Sequence, residues 1–107
     1  MERKGNLITR SCQVSNRETF GIDMGGSLWA TAIHDWDSGK DSYYGMKDKD
    51  GERKEDRVYD LIKEHVDSGK VVDVYYEAGR YGYTPARIMS ELGAKVHILP
   101  INKLKGY

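Results

Sequence analysis

The chain has 107 residues, 38% of them hydrophobic and 32% charged, the profile of one small soluble globular domain. Its 17 basic residues balance 17 acidic ones, which argues against a dedicated, strongly basic nucleic-acid domain but leaves room for a local patch. A lone Cys12 excludes an internal disulfide, and no apolar run is long enough for a membrane span or a signal-peptide core, so a soluble cytoplasmic protein is expected.

Residues 1–17 are polar without a sustained period and read as a flexible leader, leaving 18–107 as the domain. Thr19 to Met24 reads as a first strand, and Gly25-Gly26 as a tight turn. Leu28 to His34 is the second strand, antiparallel to the first. Asp37-Ser38-Gly39-Lys40 is a turn signal, and Asp41 to Met46 a third strand closing a meander. A charged loop, Lys47 to Glu52, follows.

From Arg53 to Ser68 the period changes. Val58, Leu61, Ile62, His65 and Val66 fall on one face of a helix, and Gly69 suits the position just past its end. Val71 to Glu77 is a short apolar run stopped by a carboxylate, the pattern of a buried strand. A second helix begins at Thr84, expected as N-cap, with Pro85 in its first turn. Ile88, Met89 and Leu92 form its stripe, and Gly93 ends it. Lys95 to Leu99 is the last strand, stopped by Pro100.

The order β-β-β-α-β-α-β predicts an α/β fold. Helical crossovers make the later strands parallel neighbours, and the meander makes the first three antiparallel. The expected mixed sheet order is 3-2-1-4-5, the ribonuclease-H-like (RNase H-like) arrangement. That order sets Asp23, at the tip of the first strand, beside Glu77, at the tip of the fourth. In open α/β sheets, ligands bind outside the carboxyl ends of the strands.

Two carboxylates about 5 Å apart repel by about 3 kcal/mol at an effective dielectric of 20. Protonation of one relieves this; a divalent ion relieves it better. Mg²⁺ often takes only one or two carboxylates together with substrate phosphates, and a pair of such ions clamps both oxygens in phosphodiester transfer. The residue types fit metal-dependent nucleic-acid chemistry. Either acid alone reads more simply as a turn or cap residue.

The stretches Phe20-Gly21-Ile22-Asp23, Tyr76-Glu77-Ala78-Gly79-Arg80-Tyr81-Gly82-Tyr83, Ala86-Arg87, Leu92-Gly93 and Val96-His97-Ile98-Leu99-Pro100 together resemble the amino-terminal domain of bacterial insertion-sequence transposases with a RuvC-like DEDD site. Tyr-Glu-Ala-Gly is the most specific part, and the resemblance runs from Thr19 to the end of the chain. It implies an RNase H-like fold, DNA transposition by strand cleavage and joining, and Mg²⁺ or Mn²⁺ as cofactor. It further implies DNA as partner, a structured guide RNA, and a homo-oligomer in full-length members. By the resemblance Asp23 and Glu77 are catalytic metal ligands, the first two of four acids. The other two belong to a helix beyond the fifth strand, and a carboxy-terminal domain carries a serine nucleophile. The sequence stops at Tyr107, before such a helix, so a truncated copy, inactive on its own, is expected.

Other readings stay open. Gly21-Ile22-Asp23-Met24-Gly25-Gly26-Ser27 also looks like the first phosphate loop of sugar and pantothenate kinases of the actin-like class, with ATP phosphate at Gly25-Gly26. That core topology is shared, but no second phosphate loop is recognisable. A non-catalytic nucleic-acid-binding remnant is the third reading. Arg80, Arg87, Lys95, Lys103 and Lys105 would contact phosphates, and Tyr81 and Tyr83 would stack on bases. Taken singly, each is explained better by a solvated surface or by packing at a helix start.

The remaining signals are plain ones. Asp48-Lys49-Asp50-Gly51 lacks both end ligands of a calcium loop and reads as a charged turn. His34, His65 and His97 have no zinc spacing with Cys12, and His65 reads as helix packing. Trp29 and Trp36 read as sheet-face packing, and Ser27 has no partner that would make it a nucleophile.

Overall fold

Alternation along β1 (Arg17–Met24) sorts its side chains between two faces of a sheet: Glu18, Phe20 and Ile22 are buried, whereas Arg17, Gly21 and Asp23 are exposed. The computed structural model describes residues 16–100 of the chain. β1 is central. It pairs antiparallel with β2 (Trp29–Asp35), which pairs antiparallel with β3 (Asp41–Met46). On its other side β1 pairs parallel with β4 (Val71–Glu77), which pairs parallel with β5 (Lys95–Leu99). The sheet order is 3-2-1-4-5, and the element order β-β-β-α-β-α-β, the RNase H-like arrangement expected from the sequence.

The two helices, α1 (Lys54–Asp67) and α2 (Thr84–Glu91), cover one face of this sheet. Val58 and Ile62 of α1 and Met89 of α2 join Phe20, Ile22, Trp29, Ile33, Val72, Val74 and Tyr76 in one buried cluster. Each large apolar side chain withdrawn from water there contributes about 1.5–3 kcal/mol. Among the described residues, no element covers the opposite face. No described helix is long and apolar enough to cross a membrane.

Both helices stop by the same device. Gly69 (φ 97°) donates to Val66 O while Lys70 donates to His65 O; Gly93 (φ 108°) donates to Ser90 O while Ala94 donates to Met89 O. Each is a Schellman closure needing a left-handed residue just past the helix end. Starts differ from expectation. Thr84 is the first helical residue rather than the cap: Tyr83 holds the N-cap position without a side-chain hydrogen bond, and a proline fills the first turn. At α1 the N-cap, Arg53, has a side chain that cannot accept, so the Lys54 N–H donates 2.7 Å to Asp48 Oδ1 from the preceding loop. That loop is a tight hairpin closed by Lys49 and Glu52, the charged turn read from the sequence.

Boundaries shift slightly elsewhere. β2 starts at Trp29 and runs through Asp35. β1 starts at Arg17, inside the expected leader; Arg17 lies opposite Val71, and its guanidinium reaches Asp73. Residues 1–15, the rest of that leader, lie outside the described residues.

Candidate metal and nucleic-acid site

Parallel pairing of β1 and β4 runs up to Ile22 opposite Tyr76. One step further brings Asp23 alongside Glu77. Ile22 and Tyr76 point into the core, so the next residue on each strand points to the helix-free face. Both carboxylates are exposed, on adjacent strands, at the same carboxyl edge of the sheet. Neither has a side-chain hydrogen bond or ion pair among the described residues. Glu77 in turn lies opposite Leu99 of β5, and Asp23 opposite Ala30 of β2.

The acids border a groove of about 640 Å³ on this open face, floored by Gly21, Ala30 and Ala32 and flanked by Tyr43 and Tyr75. Arg80 lines it from the loop after β4. Two tyrosine hydroxyls help hold that loop: Tyr76 Oη donates to Gly82 O at 2.8 Å, and Tyr81 Oη donates to Gly25 O at 3.3 Å. The Tyr81 ring also packs edge-on against Trp29, centroids 5.2 Å apart. Tyr81 thus packs at the helix start, and it also lines the groove. Tyr83 is exposed, as is Arg87, which stands on α2, the layer behind the sheet and away from the acids. Lys103 and Lys105 lie outside the described residues. Of the expected basic contacts among the described residues, only Arg80 lines the same groove as Asp23 and Glu77.

No protein-family signature matches the chain, and no curated protein matches it in sequence.

A second polar cluster on the same face was not legible in the sequence. Asp73, 8% exposed, sits one sheet position from Tyr75. Arg17 Nη2 donates to its Oδ2 at 2.7 Å, and His97 Nε2 lies 3.1 Å from its Oδ1. Burial pushes the Asp73 carboxyl up, but the bonds from His97 and Arg17, with the Arg17 charge, outweigh it and hold the group below its ordinary value. His97 stacks on Tyr75, centroids 4.4 Å apart and planes 15° off parallel. The remaining histidines are structural. His65 packs against Phe20 and bonds the buried Glu18; His34 bonds Asp41. Trp29 is wholly buried, and the exposed Trp36 bonds Thr19 Oγ1 at the sheet surface.

At Gly25-Gly26, the phosphate loop of the kinase reading, the first glycine is engaged in the turn. The Gly25 N–H donates back to Leu28 O at 2.9 Å, and a Cβ at Gly25 would meet that same oxygen at 2.9 Å. The first glycine serves the turn between β1 and β2.

As a cation site, the donor set is two hard carboxylates. No group of three or more His, Cys, Asp or Glu placed to hold a metal occurs among the described residues. An all-protein cage is therefore not built from 16–100. Two adjacent carboxylates, unpartnered among the described residues, fit an oxygen-loving divalent ion that keeps water or phosphate oxygens for its other positions.

Proposed function

We propose that residues 16–100 form the core of a RuvC-like, metal-dependent DNA transposase or recombinase domain, with Asp23 and Glu77 as ligands of Mg²⁺ or Mn²⁺. The observation that carries this reading is the pair itself: two exposed acids on neighbouring strands, on the uncovered face, at the carboxyl edge. The Tyr-Glu-Ala-Gly resemblance supports it. A divalent ion there would neutralise phosphate charge and polarise the scissile phosphodiester. Asp23 and Glu77 would fix that charge, held apart by the strand spacing rather than by mobile loops. Arg80 would add a cationic contact for the DNA backbone at the rim of the groove.

The test is DNA affinity as a function of Mn²⁺ at constant ionic strength, for wild type, Asp23→Asn and Glu77→Gln. Wild type gains affinity with Mn²⁺, and both variants lose that gain. Equal metal dependence in all three overturns the assignment.

A further inference from the structure

One edge of the sheet is unpaired along its length among the described residues. β3 is the outermost strand of the 3-2-1-4-5 order, and its outer side pairs with no described strand. Sheet edges are ordinarily blunted by a proline, a bulge or a lysine within the strand. β3 has none of these: its register with β2 is one-to-one, and Asp41–Met46 holds neither proline nor lysine. The other edge is guarded better. β5 begins on Lys95 and stops at Pro100, and α2 packs beside it.

Which backbone groups of β3 point outward follows from the ladder. The Asp35 N–H donates to Lys40 O at 2.9 Å, so the bonded β2–β3 pairs alternate from there: Ile33 with Ser42, Thr31 with Tyr44, Trp29 with Met46. On the far side of β2, Trp36 N–H donates to Arg17 O and Gly25 N–H to Leu28 O. Those bonds turn the even residues of β2 toward β1, in agreement with that alternation. The N–H and C=O groups of Asp41, Tyr43 and Gly45 therefore face away from the sheet.

We propose that β3 pairs antiparallel with β3 of a second copy of this chain, about a two-fold axis at Tyr44, joining two sheets into one. Outward groups must meet outward groups, so the axis passes by a residue and not between two. Centred on Tyr44, Tyr43 of each copy bonds Gly45 of the other, and Asp41 falls opposite Lys47. Just beyond, Lys40 falls opposite Asp48. Both ends thus answer a charge with its opposite. Centred on Tyr43, Asp41 would face Gly45 and Lys47 would face Gly39, and neither charge is answered. Centred on Ser42 or on Gly45, only half of the strand overlaps.

The side chains agree with this register. Residues directly opposite share a face of the sheet. Tyr43, 75% exposed, comes to lie over Gly45 of the second copy. Leu28 Cδ1 stands 3.2 Å from the place of a Gly45 Cβ, so the ring meets an aliphatic side chain there. A cross-strand aromatic restores packing that an edge glycine lacks. Asp41 bonds His34 through Oδ1, and its other oxygen has no bond among the described residues. Lys47 O accepts from Arg57 at 2.7 Å and has a second lone pair for the ladder. A second copy is the partner because one sequence supplies both halves of every pair. The inference uses the edge of the sheet and does not rest on the metal reading. It does place both Asp23–Glu77 pairs on the same side of the joined sheet, since the axis stands perpendicular to it.

The experiment measures molar mass by sedimentation equilibrium from micromolar to millimolar concentration, with backbone amide exchange at both ends of that range. Wild type shifts toward dimer. The amides of Tyr43 and Gly45 exchange more slowly as it does, whereas those of Ser42 and Tyr44, bonded to β2 already, do not change. Asp41→Lys and Lys47→Asp each set like charges opposite one another, and each raises the dimer dissociation constant about ten-fold or more. An equimolar mixture of the two variants associates again, because each then faces its opposite, and the double variant Asp41→Lys/Lys47→Asp does the same alone. Should a single variant not fold, the double variant and the wild-type amide profile decide. The proposal is overturned if wild type stays monomeric at millimolar concentration, if it dimerises with Tyr43 and Gly45 amides unprotected, or if the mixture associates no better than either variant. Protection of both amides in a monomer would put residues 1–15 on that edge, and overturns it as well.

Discussion

Asp23 and Glu77 stand one step beyond the last pair of the β1–β4 register, Ile22 opposite Tyr76, with both carboxylates on the face that no described helix covers. Like charges so placed repel in the absence of a counter-ion. Asp23→Asn and Glu77→Gln should each melt in EDTA at the wild-type temperature or a degree or two above it. Mg²⁺ at millimolar concentration should raise the melting point of wild type and leave both variants where they were. Scanning calorimetry with and without the ion reads both effects.

Gly93 closes α2 with φ 108°, and a Cβ there would lie 2.8 Å from Val66 Cγ1. Gly93→Ala meets both a backbone penalty of about 1–2 kcal/mol and a clash. Its urea midpoint should fall markedly. Val66→Ala in the same chain should recover part of the loss, the steric part, and no more. Full recovery in that double variant would mean that the left-handed backbone costs nothing.

Asp73 supplies an acid-sensitive component of stability. Its folded value lies below the ordinary 3.8, despite burial, because His97 and Arg17 bond the ionised form. The folded state thus prefers the carboxylate more strongly than the unfolded chain does. That contribution is complete above about pH 3.8 and is lost as pH falls through the lower folded value. Asp73→Asn should be less stable than wild type at neutral pH, since it keeps one neutral acceptor oxygen where Arg17 and His97 each bond a separate carboxylate oxygen. It should also lose less of its remaining stability on going to pH 3 or below. Urea midpoints across pH 2.5–6 check this.

Thr31 is buried with its Oγ1 unbonded among the described residues. An unpaired buried hydroxyl costs free energy that an apolar group of the same shape does not. Thr31→Val should raise the melting temperature by a few degrees. An unchanged or lower value would show that the hydroxyl has a partner.

The element order was legible because it rests on local signals. Alternation marks β1 and β2, a helical period marks Val58 to Val66, and Gly69 and Gly93 mark the ends of both helices. The placement of Asp23 beside Glu77 followed from sheet order alone. What could not be read depends on partners far away in the chain. Glu18 is buried because His65, 47 residues on, bonds it. Asp73 sits in an apolar run yet faces the open side, where Arg17 and His97 receive it. Asp48 caps α1 from six residues before, a job that sequence rules give to the residue next to the helix. Tyr75 and Gly21 look like ordinary strand residues until the parallel register sets them side by side.

The proposed cation shared by Asp23 and Glu77 is tested most directly by paramagnetic broadening. Substoichiometric Mn²⁺ is added to ¹⁵N-labelled protein with assigned backbone amides. In wild type the amides of Met24 and Ala78, each next to an acid, should broaden first and together, and Glu77→Gln should abolish the effect at both. Broadening centred elsewhere, such as the acidic turn around Asp48 and Asp50, or spread evenly over the surface carboxylates, would contradict the account.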